Sequence, residues 1–292
     1  MTYWTLSSGI VKRKTMLEAS LGETVKHYSA FSRVKAGDVF IGWGLKANTL
    51  KVKRLAKQHD CRYLHLEDGF LGYIGHPANK GHALSIVSDD LGIYYDARQE
   101  SRLERLIKQE LDDSERERAS AWLNTLRQSA LTKYNTYSQV SVSNALQQSL
   151  KHETRKKILI VDQISGDLSI EGAMACVDDF HHMVACARKY NPEARLFLRR
   201  HPDTRFSKLG VLAQSEWDDV EYIDEACHPH GLIDLMDEVY TVSSQMGLEA
   251  LILGKPVVCF GVPFYAGWGL TQDHKSCERR EPVSLEQLVF AC

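Results

Sequence analysis

The sequence predicts an α/β protein made of two βα domains that face one cleft. Three observations carry this. Short apolar runs alternate with segments of helical spacing in both halves of the chain. The run Ile158-Leu159-Ile160-Val161 stops abruptly at Asp162-Gln163 and a glycine turn at Gly166. A weak echo, Gly42-Trp43-Gly44-Leu45 and Gly267-Trp268-Gly269-Leu270, links the halves.

In the first half, strands are expected at Val39-Phe-Ile-Gly, Tyr63-Leu-His-Leu, Leu84-Ser-Ile-Val-Ser and Gly92-Ile-Tyr-Tyr. Asn48 to His59 carries Leu50, Val52, Leu55 and Ala56 at helical spacing. Ser85 to Ala97 reads as two strands joined at Asp90-Leu91-Gly92. Residues 101–131 read as amphipathic surface helices whose charges form a solvated face. The polar stretch Gln147 to Lys157 marks a boundary, dividing the chain into 1–152 and 153–292. Beyond it, strands are expected at 158–162, 195–200, 220–223, 239–242 and 256–260, with helices at 171–189, 230–237 and 246–253. Gly254 with Lys255-Pro256 closes the last helix.

Composition narrows the function. Net charge is -2 with 25% charged residues, so no basic footprint for nucleic acid is present. The seven cysteines are odd in number and lack a CxxC pair, which favours reduced thiols in the cytoplasm over disulfides or zinc. No signal-peptide pattern opens the sequence, and no apolar run reaches membrane-spanning length, so membrane contact is expected to be peripheral.

Candidate chemistry clusters at strand ends, where open α/β sheets bind ligands. Asp162 ends the most apolar strand, as a nucleophile, base or ligand. Glu67-Asp68-Gly69 is a paired-acid motif, and a second carboxylate raises the pKa of one member. On the tripeptide alone, an Asp-Gly turn with a solvated glutamate is the simpler reading. His201-Pro202 follows Arg199-Arg200, a set suited to a phosphate oxygen and equally compatible with a turn histidine. Ser243-Ser244-Gln245-Met246-Gly247 opens a helix, where serines cap the N-terminus and the same end binds anions. Phe260 to Gly269 is rich in Gly, Pro and aromatics, and could shape a sugar or base pocket, although for the individual aromatics a well-packed structural loop is the simpler reading. Asp89, Asp90 and Asp96 match no hard-metal loop. His181-His182 and His228-Pro229-His230 read as surface histidines without metal partners.

Taken together these motifs resemble the β-Kdo glycosyltransferases of bacterial capsule polysaccharide biosynthesis, the KpsC/LipA family. The resemblance runs from about Gly42 to Thr271. It rests on Gly42-Trp-Gly, Leu66-Glu-Asp-Gly-Phe70, Gly92-Ile-Tyr-Tyr-Asp-Ala97, Asp162-Gln163 with Gly166-Asp167, His201-Pro202, Tyr240-Thr-Val-Ser-Ser-Gln-Met-Gly247 and Pro263-Phe-Tyr-Ala-Gly-Trp-Gly-Leu-Thr271. The Glu-Asp-Gly and His-Pro pair is also similar to bacterial sialyltransferases, which use another CMP-activated ulosonic acid.

The resemblance implies a GT-B-like architecture of two Rossmann-like domains, an acceptor side at 1–152 and a CMP-sugar side at 153–292. It implies transfer of Kdo from CMP-β-Kdo with retention to a Kdo-containing glycolipid, without a cofactor or metal. Relatives often carry two modules; this chain has room for one, and it stops at Phe290-Ala-Cys292 where relatives continue. Many relatives carry an arginine-serine pair after the acidic motif. Gly72-Tyr73 stands there instead, so no carboxylate-binding arginine is assigned. Within this frame Asp162 is the expected nucleophile, Glu67 the base for the acceptor hydroxyl and His201 a phosphate contact. Gln163, Arg200, Pro202, Ser243, Ser244, Gln245 and Gly247 are expected on the donor. Gly42, Trp43, Lys46, Asp68, Tyr265 and Trp268 are expected around the acceptor sugar. Asp167 competes with Asp162 for the reactive role. The lipid acceptor implies peripheral contact at the cytoplasmic face of the inner membrane, through Lys12, Arg13, Lys14 or basic residues in 105–118. An inverting CMP-sugar transferase and a non-catalytic capsule assembly or export protein are the alternatives.

Overall fold

The computed structural model describes residues 1–206 and 208–292. Two parallel sheets dominate. The first has the order Thr24–His27, Thr2–Thr5, Val39–Trp43, Arg62–Asp68, Ile86–Asp89, and only its last pairing is antiparallel. Side chains alternate across it. Val39, Ile41 and Trp43 join one core with Leu17 and Leu66; Phe40 joins the other with Val52 and Ala56 of the Thr49–Gln58 helix.

The second sheet is wholly parallel, with the order Val220–Ile223, Arg195–Arg199, Lys157–Val161, Glu238–Thr241, Val257–Cys259, Gln272–Asp273. In order of appearance these strands run 3-2-1-4-5-6, the dinucleotide-fold order whose switch point lies between strands 1 and 4. Lys157–Val161 is that first strand. It is covered on both faces, Ile158 and Ile160 in one core and Leu159 and Val161 in the other, which is why it reads as an unbroken apolar run. The two-unit, GT-B-like α/β architecture expected from the sequence is therefore present. A small third sheet, His82–Ala83, Tyr73–Ile74 and Tyr134–Asn135, joins residues from both sides of the cleft.

The hydrophobic packing divides the chain away from residue 152. Ile93, Tyr94, Leu103, Ile107, Leu123, Leu126 and Leu150 share one core with Leu159, Phe197 and Val239 of the second sheet. The helices Arg102–Ile107 and Asp113–Ser129 also receive the terminal helix Leu285–Ala291. By packing, the second unit starts near residue 90.

Several local expectations are corrected. Only Ile86–Asp89 forms a strand within 85–97. The buried Asp89 carboxylate accepts from the backbone of Leu91, Gly92 and Arg102, fixing a turn and the next helix start where a second strand was expected. The helix at 171–189 is two helices, Leu168–Gly172 and Val177–Tyr190. Met174 is left-handed between them (φ 54), and Asp179 accepts from Cys176 N to restart the helix. Nor is the charged face of 101–131 wholly solvated. Glu104 is 2% exposed and bonds Arg279 at 2.9 Å and the buried Arg280 at 3.3 Å. Arg280 also donates to the Pro263 and Ala266 carbonyls, clasping the aromatic loop to the helical layer.

Removing one partner of such a cluster strands a buried charge. Glu104→Ala is expected to destabilise the fold by roughly 3–5 kcal/mol, read as a shifted midpoint in chemical denaturation. A change under about 1 kcal/mol, typical of a surface pair, would show that the cluster is solvated.

Candidate active site

A cleft of about 740 Å³ opens between the units. Trp43, Lys46, Glu67 and Asp68 line it from the first sheet; Asp162, Gln163, Arg200, His201, Pro202, Ser243, Ser244 and Gln245 line it from the second. The register explains the convergence on the second side. Val161 pairs with Arg199 on one flank and Thr241 on the other, so the residues that follow each strand share one crevice.

Asp162 is 1% exposed. Its Oδ1 accepts from Gln163 N at 2.9 Å and Leu212 N at 3.1 Å. Its Oδ2 has no hydrogen-bond partner among the described residues and fills the space beside Gly210 that a Cβ would need. Burial pushes this carboxyl up to about 6, although the backbone N–H groups pull against the shift. Asp167 is exposed at the cleft edge and caps the Leu168–Gly172 helix through Ser169 N at 2.8 Å. Both acids thus hold the turn, but only Asp162 keeps a buried, unpartnered oxygen.

Glu67 faces them from the end of Arg62–Asp68. Its Oε1 accepts from Trp43 Nε1 at 2.7 Å and Asp68 N at 3.0 Å. Burial raises its pKa, and these bonds oppose the rise. Gly44 makes room for it: the residue is left-handed (φ 48), and a Cβ there would lie 2.6 Å from Glu67 Oε2. Asp68 is occupied by Arg13 at 2.9 Å and Tyr73 OH at 2.6 Å. Arg13 also sits 4.5 Å over the Trp43 ring. Arg13 thereby supports the acidic motif.

His201 is partly buried, and its Nδ1 accepts from Asp203 N at 3.1 Å, which leaves the proton on Nε2. Burial lowers its pKa to about 4, so the ring is a neutral donor. Arg200 donates to Asp224 at 3.2 Å and stacks 4.7 Å over Tyr222. The Gln163 amide is locked to Ser243 through Nε2 to Oγ (2.9 Å) and Ser243 N to Oε1 (2.8 Å). Ser244 Oγ accepts from Met246 N at the start of Met246–Ile252. Gln245 reaches across the cleft to the Phe70 carbonyl at 2.7 Å.

Four expected site residues lie outside the cleft lining. Tyr265 and Trp268 are both 0% exposed. Trp268 donates to the Phe264 carbonyl, and Tyr265 OH to the Ser244 carbonyl. They pack beneath the site and shape its floor without facing it. Gly247 is glycine because a Cβ would strike Tyr265, and Gly42 because one would strike Tyr63 OH; both serve packing. His228 and His230 are buried at 5% and 2%, not on the surface. His182 is brought to His274 and Cys186, partners that sequence spacing did not show.

The structure adds residues that the motifs missed. Lys133 lines the cleft, and burial lowers its pKa less than Tyr94, Asp68, Glu67 and Asp167 raise it, so it stays charged. Nothing in the Leu131-Thr132-Lys133-Tyr134 context signals this. Arg199 is 6% exposed and donates to the Cys227 carbonyl at 3.3 Å while lining the cleft. Glu249 is 5% exposed, and burial pushes it up to about 7. A lone acid within Met246-Gly-Leu-Glu-Ala-Leu-Ile252 was its sequence signal.

The whole arrangement has close relatives. A family model described as capsule polysaccharide biosynthesis protein matches residues 38–121 and 110–290. The capsule polysaccharide modification protein LipA of Neisseria meningitidis serogroup A is 35% identical over 282 residues, 93% of this chain, and the chain spans 40% of that relative's length. Among solved structures, Thermosulfurimonas dismutans KpsC, beta Kdo 2,4 transferase, superposes with a TM-score of 0.88 at 35% identity, covering 100% of this chain and 89% of that one. The beta Kdo 2,7 transferase of the same organism's KpsC gives 0.72 at 28% identity, covering 99% and 89%. The chain belongs to the capsule polysaccharide biosynthesis family, in its KpsC/LipA branch.

Proposed function

We propose that this chain transfers Kdo from CMP-β-Kdo to a Kdo-containing acceptor on a capsule glycolipid, with retention at the anomeric carbon. The observation that carries the reading is the meeting of Glu67 with Asp162, His201 and the serine-lined helix start across one cleft. The likeness to the two KpsC transferases supports Kdo as the sugar, and the nearer likeness to the 2,4 transferase makes that linkage the first to test.

In this mechanism Asp162 attacks the anomeric carbon while the bond to the CMP phosphate breaks, giving a covalent Kdo–Asp162 ester and free CMP. His201 donates from Nε2 to the departing phosphate, with Arg199, Arg200, Ser243 and Ser244 nearby. The acceptor hydroxyl then attacks the same carbon, Glu67 takes its proton, and the Asp162 carboxylate is released. Two inversions amount to retention. Lys133 holds the sugar carboxylate, the task for which no arginine was found in the sequence. CMP leaves as an anion, so the reaction as written needs no divalent ion. Trp43 and Lys46 border the acceptor. No described helix is long and apolar enough to cross a membrane, and peripheral contact through the acceptor's lipid is part of the proposal. The inverting alternative assigns Glu67 as sole base and leaves Asp162 structural; the buried, unpartnered Oδ2 favours the covalent route.

Incubation with CMP-Kdo and a Kdo-terminated acceptor is expected to yield a retained β-linkage by NMR; an inverted anomer overturns the double displacement. Absence of CMP release with acceptor present would instead favour the non-catalytic alternative. Glu67→Gln with CMP-Kdo alone should accumulate a protein one Kdo heavier, with the adduct on the Asp162 peptide. An adduct mapped elsewhere removes Asp162 from the role. Trp43→Phe deletes a hydrogen bond to ionised Glu67, so the acidic limb of the pH–rate profile should move to higher pH. A limb that stays in place separates Glu67 from the titration.

Burial of the Asp162 carboxylate is also legible in stability. The folded pKa of Asp162 is about 6, above its ordinary value of 3.8. The folded state therefore binds this proton more tightly, and the native protein gains stability from it as pH falls from above 6 towards 4. At about pH 8, Asp162→Asn should be more stable than the native protein by about 2–3 kcal/mol, with the gap closing on acidification. An Asn variant less stable at that pH would contradict a costly buried charge.

A further inference from the structure

Outside the cleft, two histidines and a cysteine converge on the far edge of the second sheet. His182 and Cys186 are four residues apart on the Val177–Tyr190 helix and so share one face. His274 follows the edge strand Gln272–Asp273. The ligand atoms of the three residues all lie within 4.8 Å of one another.

The surroundings hold this set in place. The His274 ring stacks on Phe260 at 4.0 Å, and His182 meets both rings edge-on at 5.5 Å. His274 N donates to the Cys259 carbonyl at 2.9 Å. Next along the chain, Lys275 Nζ bonds Asp179 Oδ2 and the Met174 carbonyl, both at 2.7 Å, tying this segment to the same helix. Helix and edge strand are thus positioned before any ligand arrives, while both imidazoles remain exposed enough to rotate.

The donor set selects the ion. Two imidazoles and a thiol, without a carboxylate among them, suit a borderline-soft cation and not magnesium or calcium. Tetrahedral zinc has Zn–N near 2.1 Å and Zn–S near 2.3 Å, which places ligand atoms about 3.3–3.7 Å apart. The present spread is about 1 Å wider than that geometry, a gap that side-chain rotation closes.

We propose that His182, Cys186 and His274 form a zinc-binding site. Zinc binds the two neutral imidazole nitrogens and the Cys186 thiolate; the thiol proton passes to solvent, and water takes the fourth position. The ion cross-links the helix to the edge strand. It thereby braces the turn in which Asp273 accepts from Gly267 N and Thr271 Oγ1, beside the aromatic loop under the cleft.

The test uses the chain after chelator treatment, titrated with zinc against a chromophoric chelator. One equivalent should bind with micromolar or tighter affinity, and His182→Ala or His274→Ala should weaken it by at least about tenfold. His181→Ala, one residue away on another face, should leave it unchanged. Cys186 is buried, so its role is read in the native protein with cobalt(II), which should give a thiolate-to-metal charge-transfer band that zinc abolishes. No stoichiometric zinc, affinity indifferent to both histidine variants, or cobalt binding without that band would each overturn the site.

Discussion

The burial of Lys157–Val161 between two hydrophobic layers is the constraint on which the rest depends. A first strand at the centre of a 3-2-1-4-5-6 sheet can accept side chains only if both faces are apolar, so polarity returns abruptly at Asp162. The neighbouring strands end at the same level, because Val161 is in register with Arg199 and Thr241. Arg200-His201 and Ser243-Ser244 are delivered to Asp162 by that register and not by their own local sequence. The Gln163–Ser243 amide lock then ties the ends of strands 1 and 4 together.

The first unit meets this edge through both polar and aromatic contacts. Gln245 donates to Phe70 O, and His76 Nε2 lies 2.8 Å from Asp203 Oδ1. Phe70 packs on Tyr94 and Phe264 at 4.9 and 4.8 Å. Phe264 belongs to the aromatic loop that Arg280 and Glu104 clasp from below. The acidic motif is therefore aimed by a chain of contacts reaching the helical layer. This accounts for an aromatic loop so near a site in which Tyr265 and Trp268 take no direct part.

Much of this was legible in the sequence, and the remainder was not for identifiable reasons. Strand ends announce themselves where an apolar run meets Asp or Ser, so the place of Asp162 and Ser243 in the cleft was legible, while Glu67 and His201, ambiguous in their local sequence, needed the combined motifs. Lys133 could not, because it lies in a short irregular segment and owes its place to the small sheet pairing Tyr73–Ile74 with Tyr134–Asn135. Glu104 is not legible as buried because helical periodicity shows a polar face but not the two arginines that return to it from the far end of the chain, about 175 residues later. Only the family resemblance puts Tyr265 and Trp268 around the acceptor sugar; the loop's own composition favours packing. Complete burial with satisfied polar atoms shows that their specificity lies in packing.

Burial also sorts the charges that the proposed reaction requires. It keeps His201 neutral and so a hydrogen-bond donor, and it raises Glu67, which makes that carboxylate a better base. It raises Asp162 only to about 6, leaving the group ionised at neutral pH while its Oδ2 lacks the bonds that would dull a nucleophile. A donor that carries a phosphate and a sugar carboxylate would be repelled by so many acids. Lys133 keeps its charge because Tyr94, Asp68, Glu67 and Asp167 together outweigh the effect of its burial. Its cation and the carboxylates around it stabilise one another before substrate arrives, and an incoming sugar carboxylate would share that cation while Asp162 approaches the adjacent carbon. In the proposed reaction Lys133 would offset the repulsion between the Asp162 carboxylate and the substrate, joining the electrostatics of the fold to those of the proposed chemistry.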